Sequence, residues 1–203
     1  MDESIKKQKF DNDLSDINEL ERRANAHGFS LYKINQKNKA VFTQTINENL
    51  EILIKSNHLT NAEYTLLFLL MPFVELHSNA IVNSDGQFMS VSELAATLKR
   101  ERTRLSKTIS QLLEKGILFE FVNAQELKKY KRNISQRPFF INPEIIFRGD
   151  RNRVNATLTR LVMEFDVLES QGIKLSWKLY LKSAEEYGKL YKRNTYLKMR
   201  NKM

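Results

Sequence analysis

The chain has 203 residues, 41% of them hydrophobic, which is long enough and apolar enough for a large domain with extensions. Its formal charge is +9 and its pI about 9.6, which favours an anionic partner, nucleic acid or an acidic membrane surface. It contains no cysteine, which excludes disulfides and cysteine-based metal sites and fits a reducing, cytoplasmic setting. The polar start MDESIKKQKF predicts no secretory signal, and the longest apolar run, Leu66–Val74, is interrupted by Pro72 and too short to span a bilayer.

Taken in chain order, residues 2–26 are charged and weakly periodic and predict a surface helix ending at Gly28. Residues 29–44 read as a hairpin or a loop, and Ile46, Leu50, Leu53 and Ile54 fall on one helical face. Thr60 and Glu63 form a capping-box pattern, opening a helix from Ala62 to about Leu76 that is apolar nearly all round. Such a helix belongs at the centre of a core, and Pro72 is expected to kink it. Ala80-Ile81-Val82 reads as a short strand and Asn83-Ser84-Asp85-Gly86 as a turn.

A second capping box, Ser90 to Glu93, opens a short helix with Val91, Leu94, Ala95 and Leu98 inward. Four polar residues, Lys99–Arg102, separate it from a helix predicted over about Thr103–Lys115, with Leu105, Ile109, Leu112 and Leu113 inward. Two short helices with a tight turn are the sequence form of a helix-turn-helix, and two ordinary surface helices would read the same. The opposite face carries Thr103, Arg104, Lys107, Ser110 and Gln111, residue types that donate to base edges and phosphates. The strand ILFEFV, a basic loop NAQELKKYKRNISQR and a returning strand follow, which is the winged-helix order. Charge supports it: residues 97–137 carry 11 Lys/Arg against 4 Asp/Glu, and residues 172–203 carry 9 against 2. The candidate DNA-binding set is therefore Arg100, Arg102, Thr103, Arg104, Lys107, Ser110 and Gln111 with Lys128, Lys129, Tyr130, Lys131, Arg132 and Arg137 of the wing.

In FFINPEIIFRGDRNR, Asn142-Pro143 should end the wing's inner strand, Glu144–Phe147 should make a helical turn, and Arg148, Arg151 and Arg153 should lie near the wing's base. SVSELAATLKRERTRLSKTISQLLEKGIL followed by FFINPEIIFRGD resembles the helix-turn-helix and wing of Firmicute plasmid replication proteins of the RepL type. The matching positions are Leu113, Glu114, Gly116, Ile117, Asn142, Pro143, Glu144, Gly149 and Asp150. The resemblance spans about residues 80–165 and implies a role in plasmid replication initiation or copy control.

Val154, Leu158, Leu161, Val162, Phe165 and Leu168 form a stripe that reads either as a homodimer seam, the reading preferred on the sequence, or as a cover for the chain's own core. The tail after Gly172 mixes Trp177, Tyr180, Tyr187, Tyr191 and Tyr196 with cations; it reads either as a binder of phosphates or an acidic lipid surface or, the reading preferred, as aromatics docked on the core with cations that attract DNA nonspecifically. No phosphate-cradling glycine motif is present, and His27, His58 and His77 lack paired metal-ligand spacing, so neither catalysis nor a cofactor nor a metal is expected.

The sequence thus predicts a mainly α protein with a small β-wing. Residues 1–45 would be a helical or hairpin extension, 46–150 a winged helix-turn-helix domain, and 151–203 a helical region with a basic tail and possible dimerisation. Its expected partner is double-stranded DNA, with a possible homodimer, contact with replication or transcription machinery, and no membrane. A transcriptional regulator (repressor) of the same fold is the alternative function, and a protein-interaction adaptor using acidic residues 1–26 a second one.

Overall fold

The computed structural model describes residues 41–120, 138–183 and 185–201 together with Glu19, Arg22, Arg23, Ala26 and His27. Residues 1–41 and 42–203 form two compact units. In the first, Glu19, Arg22, Arg23 and Ala26 are helical and exposed, and the Arg23 guanidinium donates to Glu19 one turn earlier. The stretch 29–40 lies outside the described residues.

The second unit opens with β1 (Gln44–Thr45) and α1 (Asn47–Lys55), followed by α2 (Asn61–Leu70). The capping box of α2 forms as its sequence predicts: the Thr60 N–H donates to Glu63 Oε2 at 2.6 Å and the Glu63 N–H to Thr60 Oγ1 at 3.4 Å. Two expectations for this helix fail. It stops at Leu70, and Pro72 sits in a single 3-10 turn (Met71–Phe73) rather than in a kinked continuation to Leu76, because a proline is tolerated only where its missing N–H has no helical partner to lose. Nor is it buried all round: Leu66, Leu67 and Leu70 face the core, while Phe68 is 72% exposed.

Ala80–Val82 runs alongside the later strand β3 (Phe139–Ile141), with Ile81 N–H donating to Phe139 O at 2.8 Å and Ile141 N–H to Asn79 O at 3.0 Å. The helix pair α3 (Val91–Thr97) and α4 (Arg102–Glu114) follows, then β2 (Leu118–Glu120). β2 pairs antiparallel with β3 in the register Leu118 to Ile141, Phe119 to Phe140 and Glu120 to Phe139. Leu118, Phe139 and Ile141 enter a core built around α1–α4, whereas Phe119 and Phe140 enter a second core with Phe88, Phe147, Leu158 and Leu179. A ladder buried on both faces explains why these strands read as unbroken apolar runs rather than alternating ones.

The fold class expected from sequence is corrected here. Among the described residues the chain is a mixed α/β protein with three small antiparallel sheets, β1–β4, β2–β3 and β5–β7–β6, rather than a mainly α protein with one wing and helical extensions. Residues 146–147 form β4 (Ile146–Phe147), paired with β1, where a helical turn was expected. The chain end keeps its basic charge but is not a purely helical extension. β5 (Val154–Asn155), α5 (Ala156–Glu164) and α6 (Val167–Ser170) lead into a hairpin of β6 (Trp177–Tyr180) and β7 (Tyr187–Lys192), closed by α7 (Arg193–Arg200). The segments WKLY and YGKLYK are too short for a helix to nucleate alone, and each gains a full ladder of backbone bonds from the other.

The apolar stripe of α5 serves this unit. Val154, Leu158 and Val162 are buried in the second core and Leu161 packs partly against it, while Phe165 at the helix end is 53% exposed. The stripe is thus the cover for the chain's own core, not the seam that the sequence reading preferred.

Candidate nucleic-acid interface

The turn between α3 and α4 is closed by backbone bonds. The Ser90 to Glu93 capping box starts α3, with bonds of 2.7 and 3.2 Å. At its end, Lys99 N–H donates to Ala96 O at 3.2 Å and Arg100 N–H to Ala95 O at 2.9 Å. This double bond pattern requires a left-handed residue just past the helix, and Lys99 supplies it with φ of 51°. A glycine is the usual occupant of such a position, so the absence of glycine from the turn does not change its geometry.

Glu101 caps α4, its Oε1 accepting the Thr103 N–H at 3.2 Å. Its other oxygen lies 3.2 Å from Arg104 Nε in an exposed ion pair. From this start α4 presents Arg102, Thr103, Arg104, Ser106, Lys107 and Ser110 to solvent, with Thr108 and Gln111 half-buried. Leu105, Ile109 and Leu112 are buried behind it. Arg100 is exposed just before the helix. The seven candidate residues between Arg100 and Gln111 therefore share one turn and one helix. Lys128, Lys129, Tyr130, Lys131, Arg132 and Arg137 lie outside the described residues.

The helix end is held by side chains from four other parts of the fold. Gln171 Nε2 donates to Glu114 O at 3.0 Å and Asn142 Nδ2 to Gly116 O at 2.9 Å. His58 Nε2 lies 3.4 Å from Lys115 O. Lys115 Nζ lies 2.7 Å from Glu63 Oε2, which ties the end of α4 to the start of α2. Burial pushes the Glu63 carboxyl up, but the Lys115 ammonium and the Thr60 donors outweigh it and hold the group below its ordinary value. Carbonyls that a helix end leaves orphaned are thus occupied, which fixes the direction of α4. Gly116 completes the stop with φ of 67°, and a Cβ there would come within 2.8 Å of Val167 Cβ.

The arginines that follow β4 are divided. Arg148 is used inside the fold, its guanidinium donating to Val74 O at 2.5 Å. Arg151 stacks over Trp177 at 5.9 Å and Arg153 over Tyr187 at 5.4 Å, on rings that the strand register puts on opposite faces of the β5–β7–β6 sheet. Lys182 lies over Tyr191 and Lys192 over Trp177 in the same manner. Tyr180 and Tyr196 are buried, so part of the aromatic tail docks; Trp177 and Tyr191 are half-buried, Tyr187 is exposed, and each of these three rings carries a cation.

Sequence reasoning missed one polar centre. Glu144, Lys178, Asp166 and Asn49 meet beneath this sheet, with Lys178 Nζ 2.9 Å from Glu144 Oε2 and 2.8 Å from Asp166 Oδ2. Asn49 Nδ2 donates to Glu144 O at 2.6 Å and to Trp177 O at 2.8 Å. Nothing in the local pattern of WKLY marks Lys178 as inward. Among the described residues no group of His, Asp and Glu could hold a metal ion, and no helix is long and apolar enough to cross a membrane.

The chain is 30% identical over 135 residues to a protein of Bacillus thuringiensis described as "Uncharacterized 23.6 kDa protein". The alignment covers 64% of this chain and 65% of that protein, so the chain spans just under two thirds of its relative's length. No family model and no solved structure matches the chain.

Proposed function

We propose that this protein binds double-stranded DNA at specific sites and carries out no chemistry of its own. The observation that carries the reading is the outward face of α4: Arg102, Thr103, Arg104, Lys107 and Ser110 are exposed together on a helix fixed at both ends. In this reading α4 lies in the major groove, where Arg and Lys donate to guanine and Thr and Ser to bases or phosphates. Arg100 and the cations between residues 128 and 137 add contacts to the backbone, which position the protein without reading sequence.

Within that reading, a cytoplasmic plasmid replication or copy-control protein is the role favoured by the resemblance to RepL-type proteins, and a transcriptional repressor is the alternative. The test is selection of bound fragments from a random-sequence duplex pool, followed by affinity measurement on the enriched sequence across a salt series. A single enriched motif is expected, with log affinity falling by about 0.9 per phosphate contact for each unit of log salt. No enrichment together with a flat salt response overturns the proposal. Enriched sites in iterated repeats beside an origin favour replication, and sites overlapping a promoter favour the repressor.

A further inference from the structure

A cleft of about 340 Å³ runs between α2 and the start of α4, within the range of roughly 300–1,000 Å³ typical of small-molecule sites. Its buried and half-buried lining is Leu66, Leu69 and Leu105 with Thr108, whose hydroxyl is already taken up by donation to Arg104 O at 3.0 Å. Its exposed margin is cationic: Lys99, Arg100 and Arg104. The carboxylate on that margin, Glu101, is already engaged by the Thr103 N–H and by Arg104. Lys99, the left-handed residue that closes α3, is among the lining residues and adds a third cation to the margin.

The geometry points to a binding site for a small organic anion with an apolar body, such as a medium-chain carboxylate, its chain against the three leucines and its head among Lys99, Arg100 and Arg104. The apolar lining rejects a bare inorganic anion, which leaves the leucines uncovered, and the cationic margin rejects a neutral chain of the same length. The cleft volume suits a small molecule and not a partner helix, whose diameter is about 10–12 Å. Arg100 and Arg104 also belong to the proposed DNA-binding face, so an occupied cleft should weaken DNA binding. That consequence rests on the DNA-binding reading, whereas the site itself does not.

The test uses the full chain without DNA. Decanoate, decanol and inorganic phosphate are titrated against the fluorescence of bound 8-anilinonaphthalene-1-sulfonate, a two-ring sulfonate of the same chemical type. Decanoate should displace the probe from one saturable site, decanol about tenfold less well because it lacks the charge, and phosphate not at all. Thr65 lines the cleft, is exposed and lies outside the proposed DNA-binding set. Thr65→Trp should fill the space and abolish decanoate binding with an unchanged circular dichroism spectrum, and Lys99→Gly should weaken binding several-fold in a chain at least as stable. No saturable displacement, equal displacement by decanol or by phosphate, or full decanoate binding by both variants overturns the site. A final arm adds decanoate to the protein on its selected DNA. Weakened DNA binding is expected in the wild type and not in Thr65→Trp, and an unchanged DNA affinity with decanoate bound overturns the coupling alone.

Discussion

Glu144 Oε2 lies 2.9 Å from Lys178 Nζ, and both side chains are almost wholly shielded from water. The pair joins the turn that leaves β3 to the hairpin of β6 and β7, with the Leu179 N–H donating to Glu144 Oε1 at 2.7 Å. Burial pushes the Glu144 carboxyl above its ordinary range. Burial pulls Lys178 the other way, but Glu144 and Asp166 outweigh it and hold the ammonium above its usual value. Removing the cation leaves two carboxylates facing each other in the interior. Lys178→Met should therefore destabilise the protein by about 3–5 kcal/mol, read as a fall in the urea midpoint. Adding Glu144→Gln should recover part of that loss, and a double variant no more stable than Lys178→Met contradicts the pairing.

Lys99 offers a stabilising change. Its left-handed backbone costs a side chain about 1–2 kcal/mol, and glycine offsets part of this by its own greater entropy loss on folding. Lys99→Gly should raise stability by about 0.5–1 kcal/mol in urea unfolding. A lower midpoint means the lysine side chain holds the turn in some other way.

Gly116 predicts the reverse. Gly116→Ala meets both the positive φ and the 2.8 Å approach to Val167 Cβ. The cost should be about 2–4 kcal/mol, since strain and overpacking add. A stability within about 0.5 kcal/mol of the wild type, which is the scatter of neutral surface changes, refutes the close contact.

Glu63 sets a pH dependence. Its folded-state value lies below the ordinary 4.5, so the stability it contributes is fully present above that value and is lost as pH falls through the depressed one. The wild type should lose stability on acidification below about pH 4.5 more steeply than Glu63→Gln, which should itself be less stable by about 1–2 kcal/mol at neutral pH. Parallel pH profiles for the two proteins sink the assignment.

On DNA, Arg104→Ala or Lys107→Ala should alter base preference, a lost base contact being worth about 1–3 kcal/mol of discrimination. If α4 binds DNA as proposed, Glu101→Gln should tighten binding to all sequences, because it removes the carboxylate that holds Arg104 in an ion pair and that would repel the phosphates. Competition binding on variant sites separates the two effects, and a Glu101→Gln protein with unchanged affinity shows that the carboxylate does not oppose DNA.

Capping boxes, helix periodicity and the turn at Asn83–Gly86 were legible in the sequence because each depends on residues a few positions apart. The exposed face of α4 was legible for the same reason: Leu105, Ile109 and Leu112 share one side at helical spacing, so Arg104, Lys107 and Ser110 fall on the other. What tertiary structure alone decided depends on partners far along the chain. Ile146–Phe147 became a strand because Gln44–Thr45 offered it a ladder about a hundred residues away. Lys178 turned inward, against the polarity of its side chain, because Glu144 and Asp166 converge on it from other elements. The α5 stripe covered its own core because Phe119, Phe140 and Phe147 arrive from earlier strands to meet it. A two-residue strand or a buried lysine has no local free energy to announce it, and becomes favourable only when the distant group that completes it is in place.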